Sequence, residues 1–458
     1  MSSERTAAAD ASAQPPLGEL RQRAVALFRA GQRREALDAC RRALTQAPEQ
    51  PDMLALAGIV ATELGDIEEG VAFYQRAIAV KPDAAELHYN LGNALRRLKR
   101  DEEAVAAYRA AAKCRPDLMA AYNNLGSALQ ALDRWDEAAD AYRHALALAP
   151  GAAELHRNLG IVLESAGRRK EAIDCYSRAL ALAPDVSGYR NLATALLEEG
   201  EARTAVETCD AWLRAVALRP EQGAVEALSL KATALDELGD RPGARRLVDM
   251  DRFLRVIEIT APPPGYDSLK AFNAAVTEQL MRDPTLAVPT TRDPHYNGPQ
   301  FRTTGELFEQ PRGAMAALEG LIRRQVDAYL ATVARRDPSH PYLANPPAQW
   351  KAIAQATVLD DLGALAPHVH YSGYVSGVYY VQIPEAIGAA ADGQAGWLEV
   401  GRLPRRFHRV GKPEIRAFKP RESVMILFPS YFYHNTVPFQ SAVPRISIAF
   451  DAMPLRVA

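Results

Sequence analysis

Residues 85–118, AELHYNLGNALRRLKRDEEAVAAYRAAAKCRPDL, and residues 119–152, MAAYNNLGSALQALDRWDEAADAYRHALALAPGA, are consecutive stretches of 34 residues that align position for position. The same phase runs beyond both. Prolines stand at Pro48, Pro82, Pro116, Pro150 and Pro184, and small residues at Ala36, Gly70, Ala104, Ala138 and Ala172. Four positions after each small residue come Cys40, Tyr74, Tyr108, Tyr142 and Tyr176, and a second small set holds Ala24, Gly58, Gly92, Gly126 and Gly160. Small residues let two helices approach closely, and the aromatic fills the gap between them. One such helix pair cannot bury its apolar face alone, but a stack of them builds a continuous core.

A strict period of 34 with these positions is the signature of tetratricopeptide repeats. The phase slips late: Asn191-Leu192-Ala193 arrives one residue early and Pro220 two late. Six to seven units are expected over residues 17–250, the last degenerate and capping the solenoid against whatever follows. Residues 1–16, rich in Ala, Ser and Pro, are expected to form a disordered tail. One polar position also repeats. Asn90, Asn124 and Asn158 each precede the repeat glycine by two, and Asn191 is their shifted equivalent. This ladder resembles that of the O-linked N-acetylglucosamine transferase repeats, where amides grip the backbone of an extended peptide. An amide both donates and accepts, so it can pair with any peptide unit. The same asparagines could instead stabilise turns or neighbouring repeats. The repeated tyrosines read as core.

The residues able to do chemistry come later, in HVHYSGYVSGVYYVQIP (368–384), AGWLEVG (395–401), SVMILFPSYFYHNTVPF (423–439) and RISIAFDAM (445–453). His368 and His370 are two apart, so on a strand they share a face and can address one ion. His434 would complete a facial set. In the last stretch Arg445, Ser447 and Ala449 alternate with Ile446, Ile448 and Phe450, the pattern of a strand between a polar pocket and a packed layer. A guanidinium fixed in such a pocket suits a carboxylate, to which it can donate two parallel hydrogen bonds.

These motifs resemble the iron(II)- and 2-oxoglutarate-dependent oxygenases, in particular the group in which tetratricopeptide repeats precede a jelly-roll oxygenase domain. The resemblance implies an α+β multidomain chain: an all-α solenoid, then a double-stranded β-helix (jelly roll) with covering helices over residues 251–458. It gives His434 the role of iron ligand, Arg445 that of holding the far carboxylate of 2-oxoglutarate, and Ser447 that of assisting. It also implies dioxygen as co-reactant, with 2-oxoglutarate decarboxylated to succinate while a C–H bond of the substrate is hydroxylated. The departure is His370, because the wider family has a carboxylate at that place. Three readings remain: a three-histidine iron site, a site whose carboxylate comes from elsewhere (Asp360, Asp361 or Glu399), or a site without metal. Spacing favours the first.

Composition narrows the partners. Fifty-four basic residues against 56 acidic leave no global field to attract nucleic acid or an anionic membrane. MSSERTAAADASAQPP lacks the apolar core of a signal peptide, so a cytoplasmic protein is expected. Cys40, Cys114, Cys175 and Cys209 lie far apart in helical patterns and read as buried thiols rather than disulfides or zinc ligands. ITAPPPGYDSL (259–269) breaks the helical pattern and suggests a domain boundary. Helices are expected at SLKAFNAAVTEQLMRD (268–283) and over 311–334, with a strand from Trp350 toward His368. His295 and His340 lie beside prolines and read as exposed, as does Glu399 at a strand end. Tyr379 and Tyr380 face opposite ways, either one able to reach the cosubstrate. Eight basic residues between Val400 and Arg421, with His408 among them, read as a solvated face or as a lid favouring an acidic substrate segment. Two functions fit: a hydroxylase of a protein or peptide held in the repeat groove, or a binding scaffold with a degenerate oxygenase domain.

Overall fold

A computed structural model describes residues 15–216, 224–287, 296–297, 300–303, 306–359, 364–371, 373–387, 393–407, 411 and 413–455. The tail up to residue 14, Pro220, His295, Asp360, Asp361 and His408 lie outside the described residues. The chain divides into two compact units, Met1–Ala183 and Pro184–Ala458.

The first unit is five helix pairs: Leu17–Arg29 with Arg33–Gln46, Pro51–Leu64 with Ile67–Val80, Ala85–Arg97 with Asp101–Cys114, Met119–Ala131 with Trp135–Leu148, and Ala153–Ser165 with Arg169–Leu182. The period follows from one contact made in each of the last four. A Cβ on Gly92 would meet the Tyr108 ring at 2.5 Å, and Gly58, Gly126 and Gly160 stand in the same relation to Tyr74, Tyr142 and Tyr176. The tyrosines are therefore core, as their spacing predicts, and Tyr108 and Tyr142 are each 1% exposed. Burial pushes the phenols of Tyr74, Tyr108 and Tyr142 up to about 12. Repeat is also tied to repeat on the surface by Arg41–Glu69, Arg109–Glu137 and Arg143–Glu171. All three pairs are exposed to solvent, which screens them, so they contribute little to stability.

The second unit begins with two further pairs, Val186–Glu199 with Ala202–Ala215 and Ala224–Glu237 with the short Arg241–Leu247. Two antiparallel sheets follow. Their strands are β1 (Arg255–Glu258), β2 (Leu286–Ala287), β3 (Tyr296–Asn297), β4 (Gln300–Thr303), β5 (Trp350–Leu359), β6 (Ala364–His368), β7 (Val375–Gln382), β8 (Leu398–Val400), β9 (Arg416–Phe418), β10 (Val424–Pro429), β11 (His434–Thr436) and β12 (Arg445–Pro454). One sheet runs β1-β10-β7-β12-β5-β4-β2 and the other β3-β6-β11-β8-β9. Ile446, Ile448 and Phe450 point to one face of β12 and are at most 1% exposed; Arg445 and Ser447 point to the other, the face from which Asp451 reaches His370.

Helices Leu269–Met281 and Gly313–Thr332 fall where the apolar pattern predicts them. The first is fixed to β7 by the Tyr379 hydroxyl, which donates to Asn273 Oδ1 at 2.8 Å, so Tyr379 faces the helix and Tyr380 the interior. The Tyr329 hydroxyl of the second donates to the Phe253 carbonyl at 2.7 Å. Three expectations need correction. His340 is 2% exposed, because its ring packs on Phe253 and is held by the Arg246 carbonyl and the Tyr342 amide. Glu399 is buried by its bonds to Arg402 and Asn435. Cys40 and Cys209 are buried free thiols, but Cys114 and Cys175 are only half-buried.

Candidate active site

Strands β6 and β11 pair directly, His434 opposite His368, and the turn after β6 brings His370 beside them. Three ring nitrogens, one from each histidine, lie within 4.8 Å of one another. Hydrogen bonds at the far side of each ring explain why they converge. His368 Nδ1 is 2.9 Å from the Ala366 carbonyl, His434 Nδ1 3.1 Å from the Phe432 carbonyl, and His370 Nδ1 2.7 and 2.9 Å from the two Asp451 oxygens. Each acceptor fixes the proton on Nδ1 and leaves the Nε2 lone pair pointing inward. Nε2 of His368 and Nε2 of His370 stand 3.3 Å apart, a spacing at which two lone pairs repel unless a cation or proton lies between them.

Electrostatics differ among the three. His434 is 7% exposed, and burial together with the charges of His368 and His370 holds it well below its ordinary value, so it is neutral and ready to ligate at neutral pH. Burial also pulls His370 down, but the charge and hydrogen bond of Asp451 outweigh it and the net shift is upward.

Across the same interior, Arg445 is 2% exposed and its guanidinium carbon lies 5.2 Å from the centre of the Tyr380 ring. Its Nε and Nη1 and the Tyr380 hydroxyl have no hydrogen-bond partner among the described residues. Burial pulls the guanidinium down from its ordinary value. Ser447, 5% exposed, shares the interior face of β12 with Arg445 and lies opposite Tyr380 on β7. A buried cation with unused donors fits a carboxylate, and three converging imidazoles fit a transition-metal ion such as iron(II).

Residues 355–451 match the family described as "Putative 2OG-Fe(II) oxygenase", and residues 21–79, 61–118, 117–185 and 166–220 match tetratricopeptide repeat families. This chain joins tetratricopeptide repeats to a domain of that oxygenase family. No curated protein matches it significantly. Among solved structures it is similar to a MamA protein (21% identity over 36% of this chain and 91% of that one, TM-score 0.35). It is similar also to MamA 41-end from Desulfovibrio magneticus RS-1 (22%, 36% and 94%, TM-score 0.35). A third is YrrB, titled "a TPR protein with an unusual peptide-binding site" (21%, 36% and 85%, TM-score 0.34). Similarity at that level says nothing of what this chain binds.

The oxygenase-family domain thus brings His368, His370 and His434 together and sets Arg445 and Ser447 on one inward face. Glu399 does not join the triad. Its carboxylate is committed to Arg402 at 2.5 and 2.7 Å and to the Asn435 amide at 2.9 Å, and Arg402 holds it below the usual carboxylate range. Sequence reasoning missed Asp451 as a partner of His370, although the residue sits in the very strand singled out for Arg445. In the basic segment Arg402, Arg406, Arg416 and Arg421 meet Glu399, Glu198, Glu414 with Asp251, and Glu258 respectively, so much of its charge is neutralised locally.

Asn90, Asn124, Asn158 and Asn191 all lie on the first helix of their pairs and are half-buried. Asn124 donates to Asn93 Oδ1 at 2.9 Å and to the Tyr89 hydroxyl at 3.2 Å, linking one repeat to the one before it. Among the described residues no helix is long and apolar enough to cross a membrane.

Proposed function

We propose that the chain is an iron(II)- and 2-oxoglutarate-dependent dioxygenase that hydroxylates a protein or peptide, with the interior of the two sheets, read as a jelly roll, as its active site. The observation that carries this is the convergence of one ring nitrogen from each of three histidines beside a buried guanidinium whose Nε and Nη1 have no hydrogen-bond partner among the described residues. His368, His370 and His434 would hold the iron, and Arg445 with Ser447 would hold the far carboxylate of 2-oxoglutarate. With both bound, the group supplies oxidation of a C–H bond by dioxygen, coupled to decarboxylation of 2-oxoglutarate to succinate.

The protein's part is positioning. Ala366 and Phe432 carbonyls and the Asp451 carboxylate keep the three rings in the ligating tautomer before any ligand arrives. Phe428, whose ring centre is 4.8 Å from that of His434, and the Tyr380 ring line the interior with apolar surface that excludes water and strengthens every charge contact there.

A macromolecular substrate is favoured by what stands at the edge of the site. Tyr371, next to His370, is 46% exposed, and its phenol feels Glu226, Arg406 and Arg190. Glu226 and Arg190 belong to helices Ala224–Glu237 and Val186–Glu199, and they pair at 2.7 Å. The last two helix pairs of the chain therefore border the histidines, and one of these pairs carries Asn191. The test is turnover: full-length protein with iron(II), 2-oxoglutarate and air, offered extended peptides, should make succinate faster with some peptides and leave those peptides heavier by one oxygen atom. No succinate under any condition would leave the scaffold reading instead.

A further inference from the structure

Among the described residues no carboxylate joins the three histidines, but one stands behind them. His368 and His434 are held at Nδ1 by the Ala366 and Phe432 carbonyls, whereas the partner at Nδ1 of His370 is an anion, Asp451. That contact is built rather than incidental. The two side chains are 22% and 23% exposed, and both carboxylate oxygens lie within 3 Å of Nδ1 at 2.7 and 2.9 Å. The Ser376 hydroxyl donates to Oδ1 and lies 2.8 Å from Ser430 Oγ. Behind these groups a Cβ at Gly373 would come within 2.6 Å of Ser430 Oγ and 3.0 Å of Asp451 Oδ1, so the cradle is closed to any side chain. Asp451 itself is held from β12 by register with Ser376 on β7.

The geometry points to Asp451 as the positioning residue that replaces the missing ligand carboxylate from the far side of His370. This rests on the reading of the three histidines as a metal site. An Nδ1–H shared with a carboxylate is a charge-assisted bond, which makes the opposite nitrogen more basic than a carbonyl partner does. His370 therefore binds a dication as a partly anionic ligand, and the charge that the wider family places on the metal is placed one imidazole away. The departure from the usual pattern is then a relocation of charge, and a cation held in the triad keeps a carboxylate to balance it.

The test is cobalt(II) binding, an air-stable probe of the same donor set, followed by calorimetry and by the visible ligand-field bands on the full-length protein. Wild type, D451N, D451E and H370A are compared, with melting temperatures of the metal-free proteins as the folding control. D451N keeps size and a hydrogen-bond acceptor and loses only the charge; it should bind cobalt about 10- to 100-fold more weakly and shift the bands, while melting like wild type. D451E should recover part of the loss. Wild-type affinity and unshifted bands in D451N would overturn the inference while leaving the metal site intact. No cobalt binding by wild type, with H370A indistinguishable from it, would instead overturn the metal reading and this inference with it. Should D451N fail to fold, S376A, which removes only the hydroxyl that fixes Oδ1, carries the same test: weaker cobalt binding supports the role and unchanged binding refutes it.

Discussion

Replacing Arg445 by Met should make the metal-free protein more stable and at the same time blind to 2-oxoglutarate. Arg445 is 2% exposed, with Nε and Nη1 unpartnered, so among the described residues no hydrogen bond offsets the burial of those donors. Substituting a buried ionic group by an apolar side chain of similar volume is commonly stabilising by about 1–4 kcal/mol. Against this stands the stacking on Tyr380, a cation–π contact worth up to about 2 kcal/mol when desolvated. Taken at the middle of both ranges, the expected net gain is about 1 kcal/mol. For the cosubstrate the sign reverses. Two charge-assisted hydrogen bonds at about 1.5–3 kcal/mol each amount to roughly 3–6 kcal/mol, a loss of affinity of roughly a hundredfold to ten-thousandfold. Thermal melting with and without manganese(II) and 2-oxoglutarate separates the two effects. At a hundredfold excess over its dissociation constant the ligand stabilises wild type by about 2.7 kcal/mol and should stabilise R445M by no more than about 0.4 kcal/mol. An R445M protein that melts below wild type when ligand-free, yet is still stabilised by 2-oxoglutarate to the same degree, would refute the reasoning.

Other expectations concern the scaffold. Gly92→Ala drives a methyl into the Tyr108 ring, and overpacking at about 1–3 kcal/mol should exceed the gain of about 1 kcal/mol in helix propensity; denaturant unfolding should show a net loss that disappears in a Tyr108→Ala background. His340 is held by burial below its ordinary value, whereas the unfolded imidazole titrates near 6.5. Below that pH the unfolded chain takes up a proton that the folded one refuses, so stability should fall as pH drops through about 6.5, and His340→Gln should flatten that slope in melting curves taken from pH 5 to 8. Asn124→Ala removes bonds to Asn93 and Tyr89 as well as any grip on peptide. If the amides read peptide backbone, Asn90→Ala and Asn158→Ala should weaken capture of a peptide substrate along with it, as fluorescence anisotropy would record; unchanged binding in all three would assign them to repeat packing.

The repeats were legible because their determinants are local and periodic: a glycine and the tyrosine that covers it are 16 residues apart in four consecutive units, as at Gly92 and Tyr108. The alternation in β12 was legible for the same reason, since one strand face is packed and the other lines the interior. Two histidines two residues apart announced themselves, and in the structure a ring nitrogen of each lies within 4.8 Å of one on His434. What was hidden depends on pairing between distant stretches. Asp451 meets His370 across 81 residues, and nothing local in FDAM marks it as a partner. β1 pairs with β10 although some 170 residues separate Arg255 from Leu427, so the breaker cluster after Glu258 lies between strands of one sheet. Glu399 and His340 looked exposed because polar residues near turns usually are, and each is buried only through partners supplied by tertiary contact.

In the proposed function the three histidines and Arg445 form one cosubstrate-competent iron site. Anaerobic titration of the full-length protein with iron(II) and then 2-oxoglutarate tests it most directly, through the weak visible metal-to-ligand charge-transfer band of the chelate. The account predicts a band that saturates at one iron per chain, disappears in His434→Ala and forms only at far higher 2-oxoglutarate in Arg445→Met. Folded wild-type protein that shows no band at saturating iron and 2-oxoglutarate would contradict it.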